Sequence, residues 1–340
     1  MQRCQFLKEV QKKMRQNKPF NILFTSSGRR VELVKHFKTV YDELNIDGMI
    51  LTADLKENSP AGKVSDKHIL VPRVDSKEYI DSLIKICKEN QVSLVIPLID
   101  TELIILSNHK KDFESIGVTI LISETRTHEI CNDKILTAKF FESNGFDTPR
   151  VYNFEEVLKK GNIDKPLLIK PAKGSSGIGV HILNQFEELE FYAKRLKEPI
   201  LQELIKGDEY TIDVFTDFEG RILTVVPRLR IETRAGEVSK GKTVYNPILI
   251  QKATEVVNAL PGVFGCITVQ CFLTKNNEVK FIEINPRFGG GAPLSLAAGA
   301  DYAKYLIETL LEKEKSFNID NWENNLLMLR YDAAIFISGD

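Results

Sequence analysis

The chain has 340 residues, of which 43% are hydrophobic and 27% charged, and its net charge is −1. This length allows two or more domains whose cores need no disulfide or structural metal. A charge so near zero gives no reason to expect nucleic acid or an anionic membrane as a partner. A bound anion must therefore be held by a local cluster of residues.

No apolar run approaches the roughly 18 residues of a membrane span, and we expect neither a signal peptide nor a membrane partner. The five cysteines form no CxxC pair, and the five histidines share no ligand spacing with them. This pattern favours reduced thiols in a cytoplasmic protein and offers no zinc site. Residues 1–19 are basic and partly amphipathic, and we interpret them as a surface extension rather than a targeting signal.

Residues 20–123 alternate short apolar runs with helical patterns. The predicted strands are FNILFTSS at 20–27, GMILTAD at 48–54, VSLVIPL at 92–98 and GVTILIS at 117–123, and the predicted helices are 29–44 and 76–90. Strands that alternate with helices are typical of βαβ units and a parallel sheet. We therefore predict an N-terminal Rossmann-like domain in an α/β protein.

The rest of the chain follows a different pattern. One predicted helix covers 126–145 and ends at Gly145, with Pro149 beyond it, and short strands flank a glycine-rich loop before residue 200. From residue 201 onward, strands separated by hairpin-like turns predict antiparallel sheets, with helices at about 245–260 and 291–314. We predict two further units, at 124–200 and 201–340.

The segment 266–285 reads as a β-hairpin. Its simplest turn is Asn276–Asn277, because asparagine tolerates the positive φ that a two-residue turn requires. This turn places Gln270 opposite Glu283 and Thr268 opposite Asn285, and directly opposed side chains lie about 5 Å apart.

Polar and apolar residues alternate along the second strand of this hairpin. Glu283, Asn285 and Arg287 share one face, and Ile282 and Ile284 are expected to point into a core. The oxygens on the polar face are donors of the kind that magnesium prefers. The alternative is an ordinary solvated face of an antiparallel sheet.

The glycine-rich loop KGSSGIG at 173–179 is a second candidate. Its glycines allow backbone N–H groups to approach phosphate oxygens, and the loop could move as a lid over a ligand. Lys170 ends the preceding strand, where its charge could reach an α- or β-phosphate. No Lys-Ser or Lys-Thr pair and no helix follow, so it is neither a P-loop nor a dinucleotide fingerprint. A flexible hairpin turn is the alternative.

The stretch LQELIKGDEYTID, which begins at residue 201, is a third candidate. The backbone groups of Glu203 and Ile205 could pair with the edge of an adenine, and Glu209 could reach ribose hydroxyls. An ordinary strand followed by a charged turn is the alternative interpretation.

Together these pieces resemble the ATP-grasp superfamily, especially its carboxylate-amine ligases and the synthetase module of the carbamoyl phosphate synthetase large subunit. The matching stretches are NDKILTAKFFESNGFDTP, LLIKPAKGSSGIGV, LQELIKGDEYTIDV, TVQCFL and FIEINPRFGGG, in the order of the family. The resemblance implies a Rossmann-like pre-ATP-grasp domain at 20–123, a small lid subdomain at 124–200 and a large subdomain at 201–340 that carries the magnesium site.

The resemblance also implies roles for individual residues. Gln270, Glu283 and Asn285 resemble the magnesium ligands, and Arg287 resembles the arginine that stabilises the transferred phosphoryl group. The expected nucleotide-binding residues are Lys134, Lys170, Lys173, Gly174, Ser175, Ser176, Gly177, Gly179, Gln202, Glu203, Leu204, Ile205 and Glu209. We expect ATP with two Mg²⁺ ions, and Mn²⁺ is an alternative metal.

The implied chemistry begins when a small carboxylate attacks the γ-phosphate of ATP. Magnesium and positively charged side chains must neutralise the charge that develops, and the lid must exclude water. An amine then attacks the acyl phosphate. The alternatives are phosphorylation of a carboxylate or carbamate without ligation, and a non-catalytic ATP-binding regulatory protein. A homodimer is one expected assembly.

Substrate recognition is predicted around residues 227–244, which are rich in arginine. Arg228 and Arg230 share a strand face and could clamp a substrate carboxylate, and a basic surface ribbon is the alternative. We expect Arg228, Arg287 and Lys170 to be the catalytic residues. In the first domain Ser27, Arg29 and Asp54 follow the carboxyl ends of strands. They either complete the substrate cleft or serve as caps and turn residues.

Overall fold

The computed structural model describes residues 19–173, 178–310 and 319–338. Within these ranges the chain forms a five-stranded, a four-stranded and a six-stranded sheet. The predicted α/β class, with a parallel N-terminal sheet followed by antiparallel sheets, is confirmed. Within these ranges no helix is long and apolar enough to cross a membrane.

The N-terminal sheet is parallel and has the strand order β3-β2-β1-β4-β5. Its strands are β1 (Asn21–Thr25), β2 (Ile50–Asp54), β3 (Lys67–Leu70), β4 (Val92–Pro97) and β5 (Thr119–Ile120). Its helices are α1 (Val31–Leu44), α2 (Tyr79–Glu89), α3 (Asp100–Asn108) and α4 (Lys110–Ser115), with a 3₁₀ turn at Ala61–Lys63. Strand β1 contributes Phe24 to one hydrophobic core and Leu23 to another. Burial on both faces explains its continuous apolar run.

Strand β3, helices α3 and α4 and the 3₁₀ turn of this domain were not predicted. Strand β3 is a short edge strand with no buried residue, so it carries no hydrophobic signal. Helix α3 contains four consecutive apolar residues at 103–106, which hide the helical period.

The single helix predicted at 126–145 is wrong, because the structure has two helices there. They are α5 (Thr125–Asn132) and α6 (Lys134–Ser143). Asp133 between them has an extended backbone, and its carboxylate accepts hydrogen bonds from the backbone N–H groups of Ile135 (2.8 Å) and Leu136 (3.2 Å). This N-cap starts a new helix whose first residue is Lys134.

The four-stranded sheet is antiparallel, in the order β6-β9-β7-β8. Its elements are β6 (Val151–Tyr152), α7 (Phe154–Lys160), β7 (Leu167–Pro171), β8 (His181–Leu183), α8 (Phe186–Ala193) and β9 (Pro199–Glu203). The loop between β7 and β8 carries the predicted phosphate lid, of which Gly174, Ser175, Ser176 and Gly177 lie outside the described residues. Gly179 has a positive φ of 74°, a conformation that favours glycine.

The six-stranded sheet is antiparallel, in the order β14-β13-β10-β11-β12-β15. Its strands are β10 (Asp208–Thr216), β11 (Ile222–Arg234), β12 (Glu237–Thr243), β13 (Gly265–Leu273), β14 (Val279–Asn285) and β15 (Leu327–Leu329). Helix α9 (Pro247–Ala259) matches the helix predicted at about 245–260.

The helix predicted at 291–314 is also divided. Helices α10 (Ala292–Ala297) and α11 (Tyr302–Leu310) are separated by Gly299, whose φ is 98°. Residues 311–314 of that prediction lie outside the described residues.

A shared aromatic core joins the N-terminal domain to the six-stranded sheet. Phe24 of β1 and Phe37 of α1 have ring centroids 5.0 Å apart, and Phe37 contacts Phe288 at 6.2 Å. Tyr302 of α11 packs on the far side of Phe288. This core holds the loops that follow β1 and β4 over the end of the larger sheet.

Candidate active site

A cleft of about 770 Å³ is lined by residues from all three sheets and their connecting loops. The loop after β4 contributes 98–101, and residues 289–291 contribute the glycines that follow β14. The cleft brings together these predicted site residues: Lys134, Lys170, Lys173, Gln202, Glu203, Leu204, Ile205, Glu209, Arg228, Gln270, Glu283, Asn285 and Arg287. They come from stretches up to 153 residues apart in the sequence, from Lys134 to Arg287.

The register predicted for the β13–β14 hairpin is confirmed, although the predicted turn is wrong. Gln270 lies opposite Glu283 and Thr268 opposite Asn285. The loop has three residues rather than two, since the backbone N–H of Thr274 donates to the carbonyl of Glu278 (2.9 Å) and Asn277 has a φ of 61°. Cys271 pairs with Phe281, and Gln270 pairs with Glu283, so the second strand has one extra residue between these pairs. This bulge restores the predicted register beyond it.

The bulge also corrects one predicted orientation. Phe281 and Ile284 are both buried in the core of the large sheet, whereas Ile282 lines the cleft beside Glu283. Ile282 was predicted to point into the core. A bulged strand presents two consecutive residues where the partner presents one, so simple alternation fails at this point.

The three predicted metal ligands present unpaired oxygens. The side chains of Gln270, Glu283 and Asn285 make no hydrogen bond or salt bridge with another described residue, although Asn285 is only 7% exposed. One carboxylate and two amides are hard oxygen donors, which suit Mg²⁺ that retains some of its waters. The described residues contain no group of three His, Cys, Asp or Glu that could hold a metal, in keeping with a site built partly from amides.

Two lysines line the same cleft, near enough to Glu283 for its charge to act on both. Burial and then the neighbouring Lys134 lower the pKa of Lys170, on β7, to about 8. Burial also lowers the pKa of Lys134, against the opposing effect of Glu283. The first turn of α6 is held to the end of the four-stranded sheet, because the backbone N–H of Lys134 donates to the carbonyl of Ala172 (3.1 Å). Two desolvated cations near one another favour a polyanionic ligand.

The pKa of Lys170 predicts a pH dependence of nucleotide binding. Lys170 is protonated at pH 7 and mostly neutral at pH 9, so we expect the affinity for Mg-ADP to fall by up to about tenfold over this range. Calorimetric titrations at the two pH values measure this. The variant Lys170→Gln should bind more weakly and lose the pH dependence, whereas Lys85→Gln, on the exposed face of α2, should behave as wild type. If Lys170→Gln kept the full dependence, another group would cause it.

The segment after β9 offers its backbone to the cleft. The Glu203 carboxylate turns outward and accepts a hydrogen bond from Lys165 Nζ (3.1 Å). The backbone N–H of Ile205 donates to no other described residue. Glu209, at the start of β10, lies 3.2 Å from Arg230 Nε, and burial raises the pKa of Glu209. These positions agree with the predicted adenine and ribose contacts, which stay predictions.

Arg287 is held by the N-terminal domain. Its Nη2 donates to Asp100 Oδ2 at 2.6 Å, and its Nη1 donates to the carbonyl of Phe288 at 3.1 Å. Burial alone would lower the pKa of Arg287, but Asp100 outweighs this effect and the pKa is raised. Asp100 begins α3 and was not among the predicted site residues. The pair fixes the guanidinium in the cleft that the predicted metal ligands also line.

Arg228 is more enclosed than its predicted role requires. It is 1% exposed, and its Nε and Nη2 donate to the two carboxylate oxygens of Asp213 at 2.9 and 2.8 Å. Ser295 Oγ donates to the same carboxylate at 2.8 Å. A Cβ at Gly291 would lie 2.1 Å from Arg228 Nη1, so glycine is needed there. The edge of the guanidinium formed by Nε and Nη2 is therefore occupied, and only Nη1 and the second N–H of Nη2 are left for a substrate.

The three N-terminal candidates do not line the cleft. Asp54 accepts a hydrogen bond from the backbone N–H of Gly28 (2.6 Å), Ser27 is buried, and Arg29 is exposed. Of the two interpretations, the geometry fits caps and turn residues. The neighbouring Arg30 lines the cleft instead, and sequence analysis missed it because both arginines follow β1 and periodicity does not separate them.

Comparisons with known proteins agree with this architecture. The family model of the ATP-grasp domain matches residues 131–291, and that of the PylC-like N-terminal domain matches residues 22–121. A formate-dependent phosphoribosylglycinamide formyltransferase from Prochlorococcus marinus is 30% identical over 289 residues, which cover 79% of this chain and 70% of that protein. The chain belongs to the ATP-grasp family.

More distant proteins share the fold. A carbamoyl-phosphate synthase from Methanobrevibacter smithii is 24% identical over 250 residues, which cover 68% of this chain and 66% of that protein. The chain thus spans slightly less than two thirds of that relative. A biotin carboxylase–beta-gamma-ATP complex from Campylobacter jejuni has a TM-score of 0.71 at 15% identity, covering 90% of this chain and 74% of that one.

Proposed function

We propose that this protein is an ATP- and magnesium-dependent ligase that activates a small carboxylate as an acyl phosphate and joins it to an amine, with release of ADP and phosphate. The observation that carries the proposal is the cleft itself. It gathers two half-buried lysines, three unpaired oxygen donors and a fixed guanidinium around one space.

Each group has a role in the proposed reaction. Lys134 and Lys170 bind the phosphates of ATP, and the backbone around 203–205 binds the adenine. Gln270, Glu283 and Asn285 would hold magnesium, which neutralises charge on the phosphates when it is bound. Arg287, held by Asp100, stabilises the phosphoryl group in transfer.

The relatives support a carboxylate as the phosphoryl acceptor. The name of the Prochlorococcus marinus protein states a dependence on formate, which is a small carboxylate. The number of magnesium ions, the use of Mn²⁺, a homodimeric state and a cytoplasmic location stay predictions. Phosphorylation without ligation remains the second candidate, because of the likeness to carbamoyl-phosphate synthase.

A trapping experiment tests the function without knowledge of the amine. The protein is incubated with Mg-ATP and pools of small carboxylates and amino acids, and phosphate release is measured with and without hydroxylamine, which converts an acyl phosphate into a hydroxamate. Acid-dependent phosphate release together with a hydroxamate is the expected result. Further stimulation by an amine, with an amide product, identifies ligation.

Two other outcomes would favour one of the alternative functions. A hydroxamate without stimulation by any amine would favour the phosphorylating enzyme. No acid-dependent phosphate release, with Mg-ADP still bound, would contradict the ligase and favour a regulatory nucleotide-binding protein.

A further inference from the structure

Arg30 is a guanidinium in the cleft to which the proposed reaction gives no role. It follows β1, lines the cleft, and its side chain is 19% exposed. Among the described residues no hydrogen bond of its guanidinium is found, and the nearest carboxylate oxygen, Glu237 Oε1, lies 3.5 Å from Nη1. Burial, opposed by Glu237, lowers the pKa of Arg30, and Arg287 and Arg330 lower it further. The group is therefore a partly desolvated cation with unused donors.

The other arginines in and around the cleft differ from Arg30 in this respect. Arg228 is bidentate to Asp213, and Arg287 donates to Asp100 at 2.6 Å. Arg230 lies 3.2 Å from the Glu209 carboxylate, and Arg330 donates to Glu237 at 3.1 Å. Each of these cations already has a close carboxylate partner. Glu237 is shared, so the group Arg30, Arg330 and Glu237 carries one excess positive charge.

The glycine run brings Arg30 close to the backbone near Arg287. A Cβ at Gly290 would lie 2.7 Å from Arg30 Nη1 and 2.9 Å from the Glu237 carboxyl carbon. Any side chain at 290 would thus displace the guanidinium or the carboxylate. Gly290 is three residues beyond Arg287, so Arg30 faces the same end of the cleft as the group proposed to stabilise the phosphoryl transfer.

We infer that Arg30, braced by Glu237 and Arg330, forms an anion subsite that binds a second anionic group on the acid substrate, in addition to the carboxylate that is phosphorylated. The inference rests on the proposed function, since it names the substrate class of the same cleft. The substrate is then a dicarboxylate or an acidic amino acid rather than a simple monocarboxylic acid. A planar guanidinium with free donors suits bidentate binding of such a group.

Matched pairs of acids test this inference. Succinate is compared with butyrate, and L-aspartate with L-2-aminobutyrate. Each acid is titrated calorimetrically into the full chain in the presence of Mg-ADP. The members of each pair have the same number of carbons and differ in the second carboxylate. We expect the member with two carboxylates to bind at least about tenfold more tightly in at least one pair. Arg30→Gln should remove that preference, and Arg30→Lys should keep part of it.

Controls separate this inference from folding and from the proposed function. Arg73→Gln removes an exposed arginine of the same domain, outside the cleft, and should keep the preference. Equal binding within both pairs would overturn the inference. Weakening of all four acids alike in Arg30→Gln would also overturn it, because Arg30 would then contact the reacting carboxylate. Failure of the wild type to bind Mg-ADP would contradict the proposed function instead. Titration of the acid pairs without nucleotide would then still show whether Arg30 binds the second carboxylate.

Discussion

Glu283→Ala is expected to lower acid-dependent phosphate release by about 1,000-fold, because metal-ion stabilisation of a transferring phosphoryl group supplies several kcal/mol and each 1.36 kcal/mol is a factor of ten in rate. Glu283 is the only carboxylate among the three proposed ligands, and no described residue pairs with it. Mg-ADP should still bind weakly, since Lys134 and Lys170 remain in place.

The matched control for this variant is Glu278→Ala. Glu278 lies at the exposed end of the same hairpin, outside the cleft, so its removal should leave phosphate release unchanged. Thermal unfolding of both variants shows whether the hairpin is intact. Wild-type activity in Glu283→Ala would prove the metal assignment wrong.

The hairpin shows both the strength and the limit of sequence reasoning. The pairing of Gln270 with Glu283 was predicted correctly, but two errors cancelled: the loop has one more residue than predicted, and a bulge near 281–283 compensates for it. Alternating polarity reports which residues share a face over a few positions. It does not report a bulge, because the bulged residue, Ile282, is apolar and fits either side.

The prediction of one continuous helix at 126–145 was wrong for a similar physical reason. The polar and apolar residues of 126–145 fit one continuous helix, and only the capping carboxylate of Asp133 reveals the break. Aspartate is a recognised residue at a helix N-cap, so this signal was available in the sequence. The break makes Lys134 the first residue of α6, and it therefore positions a residue of the candidate site.

The charge pairs between distant parts of the chain could not be predicted from the sequence. Nothing local in the sequence links Arg287 to Asp100, which is 187 residues away, or Arg228 to Asp213 on the neighbouring strand. The motifs predicted which residues gather at the cleft, but partners decide whether each charge is available to a ligand. Arg228 was expected to clamp the substrate, but it is buried and paired with Asp213. Arg30 was not predicted, and its guanidinium N–H groups make no hydrogen bond with another described residue.

The pair formed by Arg228 and Asp213 predicts the largest effect on stability. Asp213 is fully buried, and besides Arg228 it accepts a hydrogen bond from Ser295 Oγ. Burial would lower the pKa of Arg228, but Asp213 outweighs it and the pKa is raised. Asp213→Asn keeps the shape but leaves a buried guanidinium uncompensated. We expect the free energy of unfolding to fall by about 3 to 5 kcal/mol, the usual cost of breaking a buried ion pair.

Urea unfolding of Asp213→Asn against Asp75→Asn measures this effect with a matched control. Asp75 also forms a forked contact with an arginine, Arg73, but on the exposed surface. Solvent screens such a pair, so its loss should not measurably change the free energy of unfolding. Equal, small effects in the two variants would show that the buried pair is not a structural support. Arg228 would then be free to turn toward a substrate, as the sequence first suggested.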